Sequence, residues 1–458
     1  MGCSHANAGR FCPSRLLGFP PAKPEKISST IKALFKSRPT PDSKSDELEA
    51  PSAVALSPRL VCYGLHYLRN CTQAAFEHNN ACFVDLAERA IAATERVLRD
   101  GRISHEEISR HDGNVWLYGS EAQARADGGS KVAAAAKRGW APLQPLPCAE
   151  CARRFPELSA WLEGGNALGG CLVSPTDWSA DSRAFATAVR RAAERSGRVR
   201  CEWGARVVRL ARADELEGDA VAGVVLEGSG GGSGSSSGHG AGSGSSGGGA
   251  SNVEAAAPPR VLTADAVVLC TGLSTRDLLA AASSRFAALP LVAMRGYSVD
   301  IHGVPAEATP QLSISDFSTE LNLQATPLGG GRVRLVGFAE FVDDDAPLPE
   351  LLAAKRRALV ERARTMLPGL LGTGESGRGK GAARVGEVWV GLRPMTPDFL
   401  PLVGATRAAR GVYVNAGHGG VGWTLAAATA ELVAEDVVCG GGSAACVPLS
   451  PDRFLLWP

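Results

Sequence analysis

The sequence lacks the features that define several protein classes. No run of about 18 uninterrupted apolar residues occurs in it, so we predict no membrane-spanning helix. Lysine and arginine exceed aspartate and glutamate by one, and this net charge of +1 offers no electrostatic surface for nucleic acid. No charged segment followed by an apolar one opens the chain, so no secretory signal is visible. The 458 residues, 45% of them hydrophobic, predict a soluble globular protein of one large or two interleaved domains.

Cysteine is also too sparse, at 12 residues, to build a dense disulfide framework. Only Cys148 and Cys151 have C-x-x-C spacing, within PCAECARRFPEL, which predicts a helix start. No second pair or nearby histidine completes a zinc site, so we predict no metal and interpret these cysteines as structural, with redox or metal use as the alternative. The initial Met-Gly-Cys-Ser suggests acylation, but Ala6 stands where myristoylation requires Ser or Thr. Cytoplasm or an organelle lumen such as the mitochondrial one is favoured over secretion, and the compartment stays open.

One segment differs in composition from the rest of the chain. Residues 227–251 are almost entirely glycine and serine and cannot bury enough apolar surface to fold. The flanking sequences AVAGVVLEG and RVLTADAVVLCTG both have the apolar, β-branched pattern of strands. We therefore predict an expanded hairpin loop between two strands of one sheet. A tether between domains is the alternative.

Elsewhere the patterns of helices and strands alternate. Amphipathic helices are predicted by DSRAFATAVRRAAERSG, LLAAKRRALVERARTMLP and TLAAATAELVAEDVV. The sequence VRCEWGARVVRLA predicts a pair of strands, and residues 311–341 predict the strands of a second, antiparallel sheet. This order favours an α/β protein with an added antiparallel portion.

Two strand-to-helix turns are candidate ligand contacts. In VVLCTGLSTRDLL a buried strand runs into Thr271-Gly272, where small residues let a backbone approach a flat ligand, although many ordinary α/β turns look the same. In VYVNAGHGGVGWTLAAATAELV four glycines, Gly417, Gly419, Gly420 and Gly422, precede a helix. Glycines at a helix start leave backbone N–H groups able to face an anion or carbonyl, which favours a ligand cradle over a merely tight turn.

A third candidate is Arg393 in GEVWVGLRPMTPDFLPLVG, at the end of an apolar strand. Arginine stays charged and its planar fork matches a carboxylate. From this window alone, an arginine that is exposed or paired with an acidic residue is the simpler interpretation.

Together these segments resemble a known family. GLRPMTPDFLPLVG followed by VYVNAGHGGVGWTLAAATAELVAE is similar to the C-terminal signature of the D-amino-acid dehydrogenase branch of the D-amino-acid oxidase superfamily. The resemblance extends through ALPLVAMRGYSVDI, TADAVVLCTG, GGCLVSPTDWSADSRAFATAVRRAAERSG and YLRNCTQAAFEHNNACFVDLAERA. The start, GCSHANAGRFCP, is similar to the Ser-x-Ala-Asn-Ala-Gly segment that follows the family's first βαβ unit. The resemblance as a whole covers nearly the entire chain apart from the Gly/Ser segment.

The resemblance implies a two-domain α/β fold in which a Rossmann-like FAD-binding domain is interleaved with an antiparallel-sheet substrate domain. It implies FAD as cofactor, Arg393 as the residue that holds the substrate carboxylate, and Tyr297 at the substrate side of the pocket. The turn before the last helix is implied to lie beside the flavin pyrimidine ring, and Val207 near the adenine. The implied cofactor-binding residues are Asn7, Ala8, Gly9, Val207, Thr271, Gly272, Gly417, His418, Gly419, Gly420, Val421, Gly422, Trp423 and Thr424.

The resemblance also implies domain boundaries and one departure. No G-x-G-x-x-G turn precedes Asn7, so we expect an N-terminally truncated dinucleotide unit and poor or no binding of FAD. We predict three parts of the FAD domain: a remnant with a helical segment at 1–110, a second part at 168–289 and a C-terminal part at 386–458. The substrate domain is predicted in two parts, at 111–167 and 290–385.

The implied activity is oxidative deamination of a D-amino acid to the 2-oxo acid and ammonia by hydride transfer to flavin, with oxygen or a quinone as electron acceptor. Two alternatives stay open: a related flavoprotein that oxidises glycine, sarcosine or another secondary amine, and a non-catalytic scaffold or truncated gene product. We expect His418 to be a component of the loop rather than a general base.

Overall fold

The computed structural model describes residues 6–19, 57–163, 169–212, 221–227, 258–319, 321–342, 349–371 and 383–455. The first five residues, which suggested acylation, and all but the first residue of the Gly/Ser segment lie outside these ranges.

Fifteen strands are present in the described residues, and most belong to one large sheet. They are β1 (Arg10–Phe11), β2 (His111–Tyr118), β3 (Gln144–Leu146), β4 (Gly170–Ser179), β5 (Val207–Arg212), β6 (Val221–Leu226), β7 (Arg260–Thr263), β8 (Val267–Leu269), β9 (Val292–His302), β10 (Ser313–Phe317), β11 (Gln324–Pro327), β12 (Arg332–Val342), β13 (Arg384–Met395), β14 (Leu402–Ala405) and β15 (Val412–Ala416). The large sheet has the order β1-β4-β2-β10-β11-β12-β9-β13, with β3 added on β4. All of its pairs are antiparallel except β2 with β10. The antiparallel strands predicted within 311–341 are confirmed as β10 to β12.

Two smaller sheets complete the strand structure. In the first, with the order β14-β15-β8, the pair β8 and β15 is parallel. In the second, with the order β5-β6-β7, β6 and β7 are antiparallel neighbours, and Val224 lies opposite Leu262. Both flanks of the Gly/Ser segment therefore belong to one sheet, as predicted.

The strand pair predicted in VRCEWGARVVRLA is wrong. Only β5 forms there, and residues 200–206 have no regular structure. The apolar side chains before β5 are exposed, Val199 by 47% and Trp203 by 75%. A strand is stable only where a neighbouring strand satisfies its backbone groups, and in the described part of the chain no strand pairs with residues 200–206.

Helices cover the sheets. They are α1 (Pro58–Asn70), α2 (Gln73–Asp100), α3 (Glu121–Gln123), α4 (Gly129–Lys137), α5 (Cys148–Arg154), α6 (Pro156–Glu163), α7 (Ser182–Arg195), α8 (Ser274–Ala282), α9 (Pro349–Met366) and α10 (Gly422–Val438). The three helices predicted from amphipathic patterns are confirmed as α7, α9 and α10. The start of α7 is fixed by Asp181, whose carboxylate accepts hydrogen bonds from the N–H groups of Arg183 and Ala184 at 2.9 and 3.1 Å. Across the described ranges, no helix is both long and apolar enough to cross a bilayer.

Three apolar clusters pack these layers together. The first joins the large sheet to α6 and α9, with residues such as Val299 and Leu359. The second joins α2 to α10, with Phe83 and Leu425 at its centre. The third packs α8 on the parallel pair β8 and β15. The first and second clusters flank the space in which the candidate site lies.

The predicted domain boundaries run across these layers. The boundary at 385/386 falls inside β13, which pairs with β9 on both sides of that point. β4, assigned to the second FAD part, pairs with β2 of the large sheet. The division into two interleaved domains is a feature of the fold, and the positions of its boundaries stay predictions.

Candidate active site

The strand that carries Arg393 meets the glycine turn directly. At the end of β13, Met395 forms an antiparallel bridge with His418, just beyond the end of β15. Gly420, two residues after His418, faces Arg393, two residues before Met395, and a Cβ built on Gly420 would lie 3.9 Å from Arg393 Cδ. The predicted convergence of arginine and turn is therefore present in the fold.

A cavity of about 600 Å³ opens at this meeting point. Its wall is formed by the first described segment, by β9, β12 and β13 of the large sheet, and by α7 and the start of α10. Ten of the predicted site residues line it: Asn7, Ala8, Gly9, Tyr297, Arg393, Gly419, Gly420, Val421, Gly422 and Trp423. These residues are up to 416 positions apart in sequence, from Asn7 to Trp423, and the fold brings them together.

Six predicted residues do not line this cavity: Val207, Thr271, Gly272, Gly417, His418 and Thr424. Thr271 and Gly272 follow β8, and Gly417 follows its parallel neighbour β15, so the three lie at the same edge of that sheet. Val207 begins β5, in the other small sheet, and packs on the third apolar cluster. Their implied contacts with the cofactor stay predictions.

The segment of Asn7 to Gly9 is held against the large sheet by hydrogen bonds. The carbonyl groups of residues 6–8 accept bonds from Ser298 Oγ, Arg334 Nη1 and Thr326 Oγ1 at 2.9, 3.1 and 2.8 Å. On the other side, the N–H of Cys12 donates to Thr424 Oγ1 at 3.1 Å, which ties the segment to α10. The position of this wall is thus fixed by both layers.

Two glycines are required by close approaches within the site. A Cβ on Gly296 would lie 2.2 Å from Arg393 Nη2, so glycine at this position lets the guanidinium lie beside β9 without shifting. Gly419 has φ +55°, and a Cβ there would lie 2.8 Å from Met395 Sδ. Because L-residues rarely adopt this φ and the space is already occupied, the turn depends on glycine at this position.

Arg393 is positioned by an irregularity in β12. Its Nη1 donates to the carbonyl oxygen of Phe338 at 3.1 Å. Phe338 has φ +64° and lies in a bulge where the register with β9 shifts between Gly337 and Glu340. A phenylalanine in this region costs on the order of 1–3 kcal/mol, and such strain occurs where a site is preorganised. The bulge turns a carbonyl group toward the guanidinium.

Tyr297 lines the cavity with its ring, while its hydroxyl donates to Glu340 Oε2 at 2.8 Å. Glu340 in turn forms a buried ion pair with Lys355 at 2.6 Å. Burial, together with the hydrogen bond to Glu340, raises the pKa of Tyr297 to about 12. The phenol is therefore protonated at neutral pH, and its oxygen can accept a hydrogen bond but not a proton.

His418 supports the turn from behind the cavity. Its Nε2 lies 3.0 Å from Thr429 Oγ1, and that hydroxyl donates to the carbonyl of Leu425 at 3.1 Å. Burial lowers the pKa of His418 to about 4, so the ring is neutral at physiological pH. A neutral ring that binds Thr429 and does not line the cavity favours the structural interpretation of this histidine.

The wall also contains charged residues that the sequence analysis did not select. Arg10 lies in β1 and Arg15 in the following one-turn helix, and both line the cavity beside Arg393. The only sequence feature that could have indicated them is the presence of two arginines within six residues after the Asn-Ala-Gly segment. Arg10 lies within the quoted segment GCSHANAGRFCP and Arg15 just after it, but a local pattern does not reveal which side chains face a cavity.

The residues present fit the ring system of a flavin. Ala8, Gly9 and Gly420 give part of the wall little side-chain bulk, so a flat ring can approach the backbone. The start of α10 faces the same space, and no side chain caps it. Its first N–H groups have no partner within the helix and can donate to the electron-rich edge of a bound ring.

No group of three or more His, Cys, Asp or Glu side chains in the described ranges is arranged to hold a metal ion. The chemistry of the cavity therefore has to be considered from its arginines, its glycine turn and the cofactor that it fits.

Comparisons with known proteins agree with this geometry. Residues 1–436 match the model of the family described as FAD dependent oxidoreductase. A D-amino acid dehydrogenase of Sinorhizobium medicae is 29% identical over 368 residues, which cover 80% of this chain and 73% of that protein. One of Cereibacter sphaeroides is 28% identical over 436 residues, or 94% and 82% of the two chains.

Solved structures show the same fold at lower identity. Glycine oxidase from Geobacillus kaustophilus has a TM-score of 0.59 at 22% identity, and L-proline dehydrogenase from P. horikoshii has 0.59 at 17%. Each alignment covers 81% of this chain and 83% of the other. With a family model that spans nearly the whole sequence and a cavity that fits the flavin ring, the chain belongs to the D-amino-acid oxidase family of FAD-dependent oxidoreductases.

Proposed function

We propose that the protein oxidises a D-amino acid to the corresponding 2-oxo acid and ammonia. The observation that carries this proposal is the single cavity shared by Arg393 and the uncapped, glycine-rich start of α10. The similarity to two D-amino acid dehydrogenases supports the choice of substrate class.

In this reaction Arg393 binds the substrate carboxylate. A guanidinium and a carboxylate form parallel, charge-assisted hydrogen bonds, so the contact fixes orientation as well as position. FAD, when bound, supplies the acceptor for the hydride that leaves the substrate Cα. The contribution of Arg393 is to present that hydrogen to the acceptor, a positioning effect of the kind that accounts for a large part of many rate enhancements.

The wall provides no base for the substrate amine. No Asp, Glu, His or Lys is among the described residues that line the cavity, and Tyr297 is protonated at neutral pH. The amine therefore has to react in its neutral form, having given its proton to solvent. The imine that forms takes up water and releases ammonia, so the only protein groups required are those that bind and orient. We expect the rate of reduction to rise with pH up to the pKa of the substrate amine.

The test is anaerobic reduction of the purified flavoprotein, followed at about 450 nm, the visible absorption band of flavin. A panel of D-amino acids, their L-enantiomers, glycine and sarcosine separates the candidates. We expect the D-enantiomers to reduce the flavin fastest. Faster reduction by sarcosine or glycine would favour the amine-oxidising alternative, and no reduction by any of them would contradict an amino-acid oxidoreductase.

The electron acceptor is a separate question for the same sample. We propose that reduced protein passes its electrons to oxygen or to a quinone. Mixing the reduced protein with each acceptor and comparing the two rates of reoxidation decides between an oxidase and a dehydrogenase.

A further inference from the structure

The charge of the cavity wall has one sign. Arg10, Arg15 and Arg393 line it, and no Asp or Glu is among the described residues of the lining. The monocarboxylate of a neutral amino acid would offset only one of these three charges.

Arg10 is held without a carboxylate partner. Its side chain is 7% exposed, and Nε and Nη1 have no hydrogen-bond partner in the described structure. Nη2 donates to Cys12 Sγ at 3.1 Å, and the guanidinium carbon lies 5.7 Å from the centre of the Trp116 ring. A thiol and an aromatic face are weak partners for a buried charge, because unpaired buried charges are strongly disfavoured.

Arg15 has fewer partners still. Within the described ranges no hydrogen bond or ion pair involves its guanidinium. Burial, together with the charges of Arg10 and Arg393, lowers the pKa of Arg15 to about 10, so Arg15 is still a cation at neutral pH. Arg10 and Arg393 therefore both lie within electrostatic range of Arg15.

Asp127 and Asp177 interact electrostatically with Arg15 and Arg10, respectively, but both carboxylates already bind other groups. Asp127 accepts from Lys131 Nζ at 2.5 Å and from the Tyr118 hydroxyl at 2.7 Å. Asp177 accepts from both the N–H and the hydroxyl of Ser14, and burial raises its pKa, which weakens it further as a counterion. The positive charge of Arg10 and Arg15 is thus left for a ligand.

We propose that the substrate is an acidic amino acid, whose α-carboxylate is bound by Arg393 and whose side-chain carboxylate is bound by Arg10 and Arg15. This inference rests on the proposed function and makes its substrate class narrower. Three arginines match the charge of two carboxylates better than that of a single carboxylate. The expected preference for an acidic amino acid therefore follows from the charge of the cavity wall.

The first experiment measures binding without turnover. Calorimetry with the flavoprotein compares glutarate, which has two carboxylates, with butyrate, which has one. We expect glutarate to bind more tightly than butyrate. Arg15→Gln should lower the affinity for glutarate by about 10- to 100-fold and leave the affinity for butyrate nearly unchanged, because one charge-assisted contact is lost. Arg15→Lys should restore part of the affinity. Arg125→Gln, which removes an exposed arginine outside the cavity, is the matched control.

Arg10→Gln gives a second test in case one variant does not fold, and it should weaken glutarate in the same direction. Equal effects of Arg15→Gln on glutarate and butyrate, or no effect on either, would overturn the inference. Inorganic phosphate that displaces glutarate at comparable concentration would also overturn it, because the pair would then bind anions in general.

Turnover separates this inference from the proposed function. D-Glutamate should reduce the flavin more efficiently than D-glutamine, and Arg15→Gln should remove most of that preference. If both substrates react equally in the parent protein and in the variant, the amino-acid activity stands and the acidic preference is wrong. If no amino acid reduces the flavin, the proposed function is wrong and the acidic substrate with it, whereas Arg15-dependent binding of glutarate would still show a dicarboxylate site.

Discussion

Arg393 and Arg15 line the same cavity but are supported in different ways. Arg393 lies in a strand of 12 residues paired with β9, its guanidinium packs on Gly296, and it donates to the Phe338 carbonyl. Arg15 lies in a four-residue 3₁₀ turn, and no side-chain partner holds it in the described structure. The difference teaches that one cation is oriented before a ligand arrives, while the other is available to it. In the proposed reaction, the oriented Arg393 binds the reacting end of the substrate, and the available Arg15 binds its far end.

We expect the largest effect from removing Arg393, the oriented cation. We expect Arg393→Leu to lower kcat/KM for flavin reduction by about 100- to 1000-fold, because a paired set of charge-assisted hydrogen bonds is lost. Stopped-flow reduction of the variant measures this, with flavin content as the control for folding. Unchanged turnover would remove the carboxylate-binding role from Arg393.

The second prediction concerns the position of the Arg393 guanidinium, which a substitution at Gly296 would disturb. In Gly296→Ala the new methyl group would meet Arg393 Nη2 at 2.2 Å, so the guanidinium has to move. We expect a loss of about 10- to 100-fold in kcat/KM, since a small misplacement of a positioning group is costly. Adding Arg393→Leu should then cause little further loss. If the two losses multiplied instead, the glycine would act through something other than Arg393.

A third prediction concerns the turn that faces Arg393. Because the pKa of His418 is about 4 in the fold and about 6.5 when unfolded, the unfolded chain binds a proton that the folded chain does not as pH falls from about 6.5 to 4. Stability should decrease over this window, by about 3 kcal/mol at most, and the contribution is fully present above it. Chemical denaturation at a series of pH values measures the slope. His418→Gln should flatten it, and an equal slope in the variant would contradict the assignment.

The smallest expected effect is at the ring beside Arg393. Tyr297→Phe removes the hydrogen bond to Glu340 but keeps the aromatic wall. We expect kcat to fall by less than about 10-fold with an unchanged pH profile, because the phenol does not act as a base. The rate of flavin reduction across pH tests this. A pH profile that loses one ionisation would instead identify Tyr297 as a catalytic acid or base.

Local patterns were sufficient for much of the fold. Asp181 before an amphipathic run fixed the start of α7, and four closely spaced glycines predicted the turn before α10. Local patterns failed at residues 199–206, where the alternating apolar pattern has no strand to pair with in the described part of the chain. A strand depends on a partner elsewhere in the chain, and a single segment does not contain that information.

The same reason limits the prediction of the site. The glycine turn was found from a sequence pattern of its own, whereas the roles of Arg393 and of the Asn-Ala-Gly segment came from the resemblance to the family. Val207, Thr271 and Gly272 were assigned to the cofactor from the resemblance, and they lie outside the described cavity lining. Arg10 and Arg15 were missed, because their importance comes from what surrounds them.

The sequence by itself determined the helices, the glycine turn and the membership of a flavoenzyme family, since all of these depend on residues close together in the chain. Tertiary structure alone decided which arginines share a cavity and which carboxylates are already engaged. The N–H of Cys12 reaches Thr424 across 412 residues of sequence to close that cavity. Burial and charge pairing are relations between distant segments, and they exist only once those segments are packed together.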